Sequence, residues 1–191
     1  MTDALIENRQ QNQATTLGTS ECSIALASIP ENAQIIMRRM FADPRVLDKQ
    51  EKEELVALLG ECVEQYPTVS ELRVLYGMAL CVNLEVQDAM EELAEAVSLA
   101  PDSFIAHLKM GELWMRLRVC EKAKDHTHQA VLLAQNLAQS ELARRQAAAL
   151  RTMMREGIER GGYSSPWHLL GRLRRLWTRN RGEELAPAEA Q

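Results

Sequence analysis

The sequence repeats itself at an interval of 34 residues, and this constrains its fold more than any other feature. Gly77 recurs as Gly111, Ala89 as Ala123 and Ala96 as Ala130, while Tyr76 and Met110, Leu80 and Trp114, and Leu99 and Leu133 agree in type. A unit of that length, with a glycine in one half and two alanines in the other, reads as a helical hairpin. The small residues leave room for the two helices of each hairpin to approach closely. One such hairpin cannot bury its apolar face alone, so hairpins stack into an open-ended solenoid.

Composition agrees with helices. Hydrophobic residues make up 46% of the 191, but aromatics only 4%. Leu, Ala, Met and Val carry the apolar load, and no run of alternating β-branched residues occurs, which points to an all-α protein. Charge is unevenly placed. Residues 160–181 hold six arginines and no acid, contributing +6 to a net charge of −5 and leaving −11 elsewhere. An acidic main body disfavours nucleic acid as a partner. Cys22, Cys62, Cys81 and Cys120 form no C-x-x-C pair and read as thiols of a reducing compartment. The polar stretch from Met1 to Gln13 lacks the basic start and apolar core of a secretory signal. No apolar run of about 18 residues is present to span a membrane. The expected location is the cytoplasm, with peripheral membrane contact as a variant.

Along the chain, residues 1–30 are expected to be unstructured and 31–160 to form one helical domain. A short helix follows Pro30, carries Ile35, Ile36, Met40 and Phe41, and stops at Asp43-Pro44, because proline disfavours helical geometry in the residue before it. Asp48 with Glu51 has the spacing of a capping box. Leu55, Leu58, Leu59, Cys62 and Val63 then mark one face of a helix that ends at Tyr66-Pro67. The clear repeats are 70–103 and 104–137, and a degenerate one covers about 36–69. Residues 138–160 are expected to cap the stack with Leu142, Ala149, Leu150, Met153 and Ile158 inward, ending at Gly161-Gly162. A linker and basic amphipathic helix over 161–181 and an unstructured tail over 182–191 complete the reading.

The repeated positions resemble the tetratricopeptide repeat family. Gly77, Ala89, Ala96 and Pro101 match its pattern in one repeat; Gly111, Trp114, Ala123 and Ala130 match in the next. Arg73, Thr127 and Gln135 depart from it. The resemblance implies an all-α, right-handed superhelical solenoid of antiparallel helix pairs. It also implies a ligand surface on the concave face, built from the first helix of each pair. The matching positions are Val74, Met78 and Cys81 in one repeat and Leu108, Lys109, Glu112, Met115 and Arg116 in the next. Family members that clamp a peptide's terminal carboxylate use Lys and Asn at several of these places. Val74, Met78 and Leu108 stand there instead, so the expected ligand is an apolar peptide or helix, with Lys109 and Arg116 selecting acidic flanks. The competing expectation is that the chain's own N- or C-terminal helix covers this face.

A second candidate surface lies in residues 166–181. At about 100° per residue, Leu169, Leu170, Leu173, Leu176 and Trp177 fall in one arc, with Arg172, Arg175 and Arg179 opposite. Trp167, Leu170, Arg172, Leu173, Arg175, Trp177 and Arg179 are therefore candidates for contact with an anionic membrane or a partner. Docking of the same arc on the solenoid is the bland alternative. His126 and His128, near Cys120 and Asp125, lie about 200° apart on a helix and do not converge on one metal. Glu53-Glu54 and Glu91-Glu92 read as solvated charge. No nucleophile triad, phosphate loop or zinc motif is present. No catalytic residue, cofactor or metal is assigned, and the expected class is a non-enzymatic scaffold or adaptor. The alternatives are a peripheral membrane tether and a chaperone for an apolar client; a homodimer through an apolar face is a further expectation.

Overall fold

The computed structural model describes residues 22–157, and every regular element in that range is helical. Residues 22–27 form α1. Then come α2 (Glu31–Ala42), a 3-10 turn (Pro44–Val46), α3 (Lys49–Gln65), α4 (Ser70–Asn83), α5 (Val86–Leu99), α6 (Phe104–Arg116), α7 (Cys120–Leu133) and α8 (Leu137–Glu156). The hairpins are α4–α5 and α6–α7, joined by contacts of α4 and α5 with α6. Below them α3 packs on α4 and α2 on α3; above them α8 packs on α7 and α6.

The repeat is visible atom by atom in the turns. Leu84 and Arg118, one period apart, both adopt left-handed backbone with φ of 69° and 59°. Around each, the same bonds recur: Glu85 N–H donates to Leu80 O and Val119 N–H to Trp114 O, both at 3.0 Å. These 6→1 bonds satisfy carbonyls that the helix ends leave open. Helix starts follow local chemistry. The Asp48 side chain accepts from Glu51 N–H while Glu51 accepts from Asp48 N–H, the reciprocal box the spacing predicts. Ser103 and Asn136 cap α6 and α8.

The core runs along the stack. Leu55, Leu59, Leu72, Leu80 and Leu93 are its fully buried large side chains, and Ala89, Ala96, Ala123 and Ala130 are completely enclosed. Close approach is real at the two repeated glycines. A Cβ on Gly77 would lie 2.8 Å from Leu93 Cγ, and one on Gly111 would lie 2.6 Å from Gln146 Nε2.

Three boundaries differ from the sequence reading. Residues 22–30 are not structureless: α1 buries Ala25, and Ile29 is buried just beyond it. Apolar spacing within an otherwise polar stretch was enough for one turn to pack. The first helix of the degenerate repeat starts at Glu31, and the chain bridges the Asp43-Pro44 break with the 3-10 turn. The capping helix ends at Gly157, left-handed at φ 68°, rather than at Gly161-Gly162. Its inward face differs in part: Leu150 is buried and Met153 packs beside it as expected, but Ala143 is buried as well, whereas Leu142 and Ala149 are exposed. Ile158 and the 161–181 and 182–191 segments lie outside the described residues.

Candidate functional site

One side of the stack is lined by α2, α4, α6 and α8, and it carries two adjoining clefts. The first, about 200 Å³, lies between Met40, Phe41 and Pro44 on one wall, Met78, Cys81 and Val82 on α4, and Lys109, Glu112 and Arg116 on α6. The second, about 440 Å³, opens between Met115 on α6 and Arg145, Gln146, Ala149 and Met153 on α8. Glu112 and Arg116 border both, so the clefts form one groove across the helices.

The periodicity of α6 explains the mixed wall. Lys109, Glu112 and Arg116 follow one another at spacings of three and four, which puts them on one stripe. Glu112 accepts from Lys109 Nζ at 2.9 Å and from Arg116 Nη2 at 2.7 Å. Burial pushes the Glu112 carboxyl up, but the two cations outweigh it, so the net shift is downward and the group is held ionised. Arg145 holds the exposed Glu141 at 2.8 Å. Counting both acids, the wall retains one positive charge in excess, on a protein whose total is −5. Cys81 sits at the floor between apolar and charged parts. Burial raises its thiol pKa and Glu112 adds to this; Arg116 and Lys109 offset part. The thiol is therefore a neutral, weakly polar group rather than a nucleophile.

Of the residues the resemblance assigned to a groove, Met78, Cys81, Lys109, Glu112, Met115 and Arg116 are brought together here. Val74 and Leu108 are not. They are 2% and 6% exposed, Val74 packed with Leu80 and Leu93, Leu108 with Ala130 and Ala143. Both are core residues and offer no surface to a ligand. Four further contributors are not legible as groove residues in the sequence. Met40 and Phe41 read as a helix face, and Arg145 and Met153 as parts of a cap, and nothing in their spacing joins them to α4 and α6.

The departures from the family pattern acquire reasons. Arg73, in place of an apolar residue, donates to Glu92 at 2.6 Å and to Pro67 O at 3.0 Å, bolting α4 to α5. Thr127, in place of an aromatic, is buried and accepts from Gln146 at 2.9 Å. Gln146 also donates to Leu108 O at 3.1 Å, so one amide ties α6, α7 and α8.

His126 finds a partner the sequence reading did not consider. Its Nδ1 lies 3.2 Å from His107 Nδ1, while His107 Nε2 lies 3.0 Å from Pro101 O. The carbonyl can only accept, so His107 donates through Nε2 and accepts at Nδ1 from His126. His128 is exposed, and among the described residues no group of three or more His, Cys, Asp or Glu could hold a metal ion. No helix among the described residues is long and apolar enough to cross a membrane. Trp167, Leu170, Arg172, Leu173, Arg175, Trp177 and Arg179 lie outside the described residues.

Comparison of the sequence with family models and with curated proteins gives no match. Comparison with solved structures does. The chain is similar to one in the crystal structure of a T3SS complex from Aeromonas hydrophila, at 14% identity and a TM-score of 0.53, over 71% of this chain and 89% of that one. It is also similar to a chain of the TPR2AB-domain:pHSP90 complex of yeast Sti1, at 15% identity and a TM-score of 0.50, over 79% of this chain and 56% of that one. The fold is a tetratricopeptide-like, all-α solenoid.

Proposed function

We propose that this protein is a non-enzymatic interaction scaffold that takes an apolar peptide or helix in the groove across α2, α4, α6 and α8. The observation that carries the reading is the groove itself: methionine and Phe41 walls, a small thiol floor, and a charged stripe along one side. Methionine adapts to varied apolar partners, and an exposed cleft of this chemistry costs free energy unless something covers it. The paired Lys109, Glu112 and Arg116 keep their charges fixed in place and so act as a selector rather than as a chemical centre. Solenoids of this kind present extended binding surfaces, and the two solved chains that share the fold both come from complexes.

The reading is tested by Met78→Glu together with Met115→Glu in the full chain. Both side chains are half-buried and also touch the core, Met78 between two core clusters and Met115 beside Cys120 and Leu150, so some melting temperature is lost and an intact helical signal at the assay temperature is the control for folding. Capture of native partners should fall by about tenfold or more, as expected when an apolar contact is replaced by a desolvated charge. Unchanged capture by a folded double variant would remove the groove as the site.

A further inference from the structure

The exposed apolar residues of α8 are not scattered. Leu142, Gln146, Ala149 and Met153 follow one another at spacings of four, three and four, which sets them on one stripe. Gln146, Ala149 and Met153 line the second cleft, and Leu142, 51% exposed, continues their stripe by one turn. The neighbouring stripe, with Ala143 and Leu150, is the one packed on α7. Two levels give the direction of the cleft. Gln146 donates to Leu108 O, and seven residues further along each helix Met153 and Met115 line the cleft. Hence α6 and α8 run in the same direction, and the cleft is a trough along both. About 10 Å separates those two levels, and the full stripe from Leu142 to Met153 is about 16 Å long.

We propose that this trough receives an α-helix of a separate protein, laid along α8, with apolar residues at three-and-four spacing and carboxylates beside them. The proposal deepens the groove reading above and rests on it. A helix matches this wall because both repeat a contact about every 5 Å along the axis, whereas an extended peptide offers one side chain per about 6.7 Å to the same face. Ala149, between Leu142 and Met153, leaves a hole for a side chain of the partner. The carboxylates follow from the rim. Among the described residues, Glu112 engages Arg116 through Nη2 and Glu141 engages Arg145 through Nε, so both guanidinium groups keep N–H donors for a ligand. The same charges select among occupants. A second copy would bring its own α8, with four arginines against two glutamates, and residues 166–181 would bring five arginines. Residues 183–189 carry acids, but Pro187 stands two places after Leu185 and breaks a helical stripe. Residues 3–7 are acid-flanked, but they make less than two turns, and 8–13 add no apolar residue.

The probes are three labelled synthetic helices of about three heptads, with leucine at each seam position and Glu, Gln or Lys beside it. Each is titrated against the full chain by fluorescence anisotropy. The Glu peptide should bind about tenfold or more tighter than the Lys peptide, with the Gln peptide between them. In Arg116→Glu/Arg145→Glu, where both altered side chains are mostly exposed, that order should invert. Ala149→Asp, at an exposed position, should weaken all three by about tenfold with the helical signal unchanged. Equal binding of the three peptides, binding of none, or an order that the arginine variant leaves unmoved overturns the proposal. Affinities unchanged by Ala149→Asp place the helix elsewhere and overturn it too. Tighter binding of the Glu peptide by Leu170→Asp/Leu173→Asp would put the chain's own segment in the trough. A dimer in ultracentrifugation that the Glu peptide dissociates would put a second copy there. Either result overturns a separate partner. Capture of native partners by the methionine double variant is read separately. Its loss, with the peptide order unmoved by the arginine variant, leaves the groove standing without this helix; its persistence removes the groove reading whatever the peptides do.

Discussion

At the scale of single residues, the repeated glycines and the histidine pair make the sharpest claims. Gly77 is fixed by Leu93, whose branch point leaves no room for a methyl group. Gly77→Ala should destabilise by up to about 2 kcal/mol, an overpacking cost of about 1–3 partly offset by about 1 of helix propensity. Urea unfolding of the single variant measures it; a stabilised Gly77→Ala would mean that the hairpin relaxes without cost. His126 titrates below the ordinary histidine value, first because it is buried and next because His107 opposes its charge, with Asp125 acting the other way. A depressed folded-state pKa gives stability that is complete above the unfolded value of about 6.5 and is lost as pH falls through the folded value. Melting temperature should therefore drop between pH 7.5 and 5.5, and His126→Gln should flatten that drop. Identical pH profiles for both proteins would show that the pair is not coupled to folding. The sequence could not reveal this pair. The two residues lie 19 apart on facing helices, and only the hairpin's register sets them against each other.

At the scale of elements, the turns decide. Leu84 is 82% exposed and left-handed, a conformation that costs a side chain and suits glycine. Leu84→Gly and Arg118→Gly should each stabilise by about 0.5–1 kcal/mol, because the relief of strain exceeds the added unfolded-state entropy. Thermal unfolding checks this, and loss of stability in both would contradict the left-handed turns. Elements with strong local chemistry were legible in advance: the capping box at Asp48, the proline stop at Asp43-Pro44, and the hairpins at 70–103 and 104–137. The cap was read less well. A helix on the end of the stack has one packed side and one open side, both containing apolar residues. Periodicity alone places Leu150 and Met153 inward, where they pack, but also Leu142 and Ala149, which are exposed, and it passes over Ala143, which is buried.

At the scale of the whole molecule, the repeat gave the architecture but only part of the groove. A solenoid helix has apolar contacts to its own hairpin, to the next repeat, and to the groove. Val74 and Leu108 satisfy the same spacing as Met78 and Met115, yet they face neighbouring helices rather than solvent. Nothing in the 34-residue period separates these roles; stacking does. The contributions of α2 and α8 were hidden for the related reason that neither belongs to a clear repeat. The central claim, that binding occurs in this groove, is tested most directly by site-specific photo-crosslinking in the native cell. A photoreactive residue would replace Met78 or Met115 in the groove, or Glu91 on the exposed face of α5. The account predicts the same partner crosslinked from both groove positions and none from Glu91. A partner crosslinked from Glu91 and absent from Met78 and Met115 would contradict it.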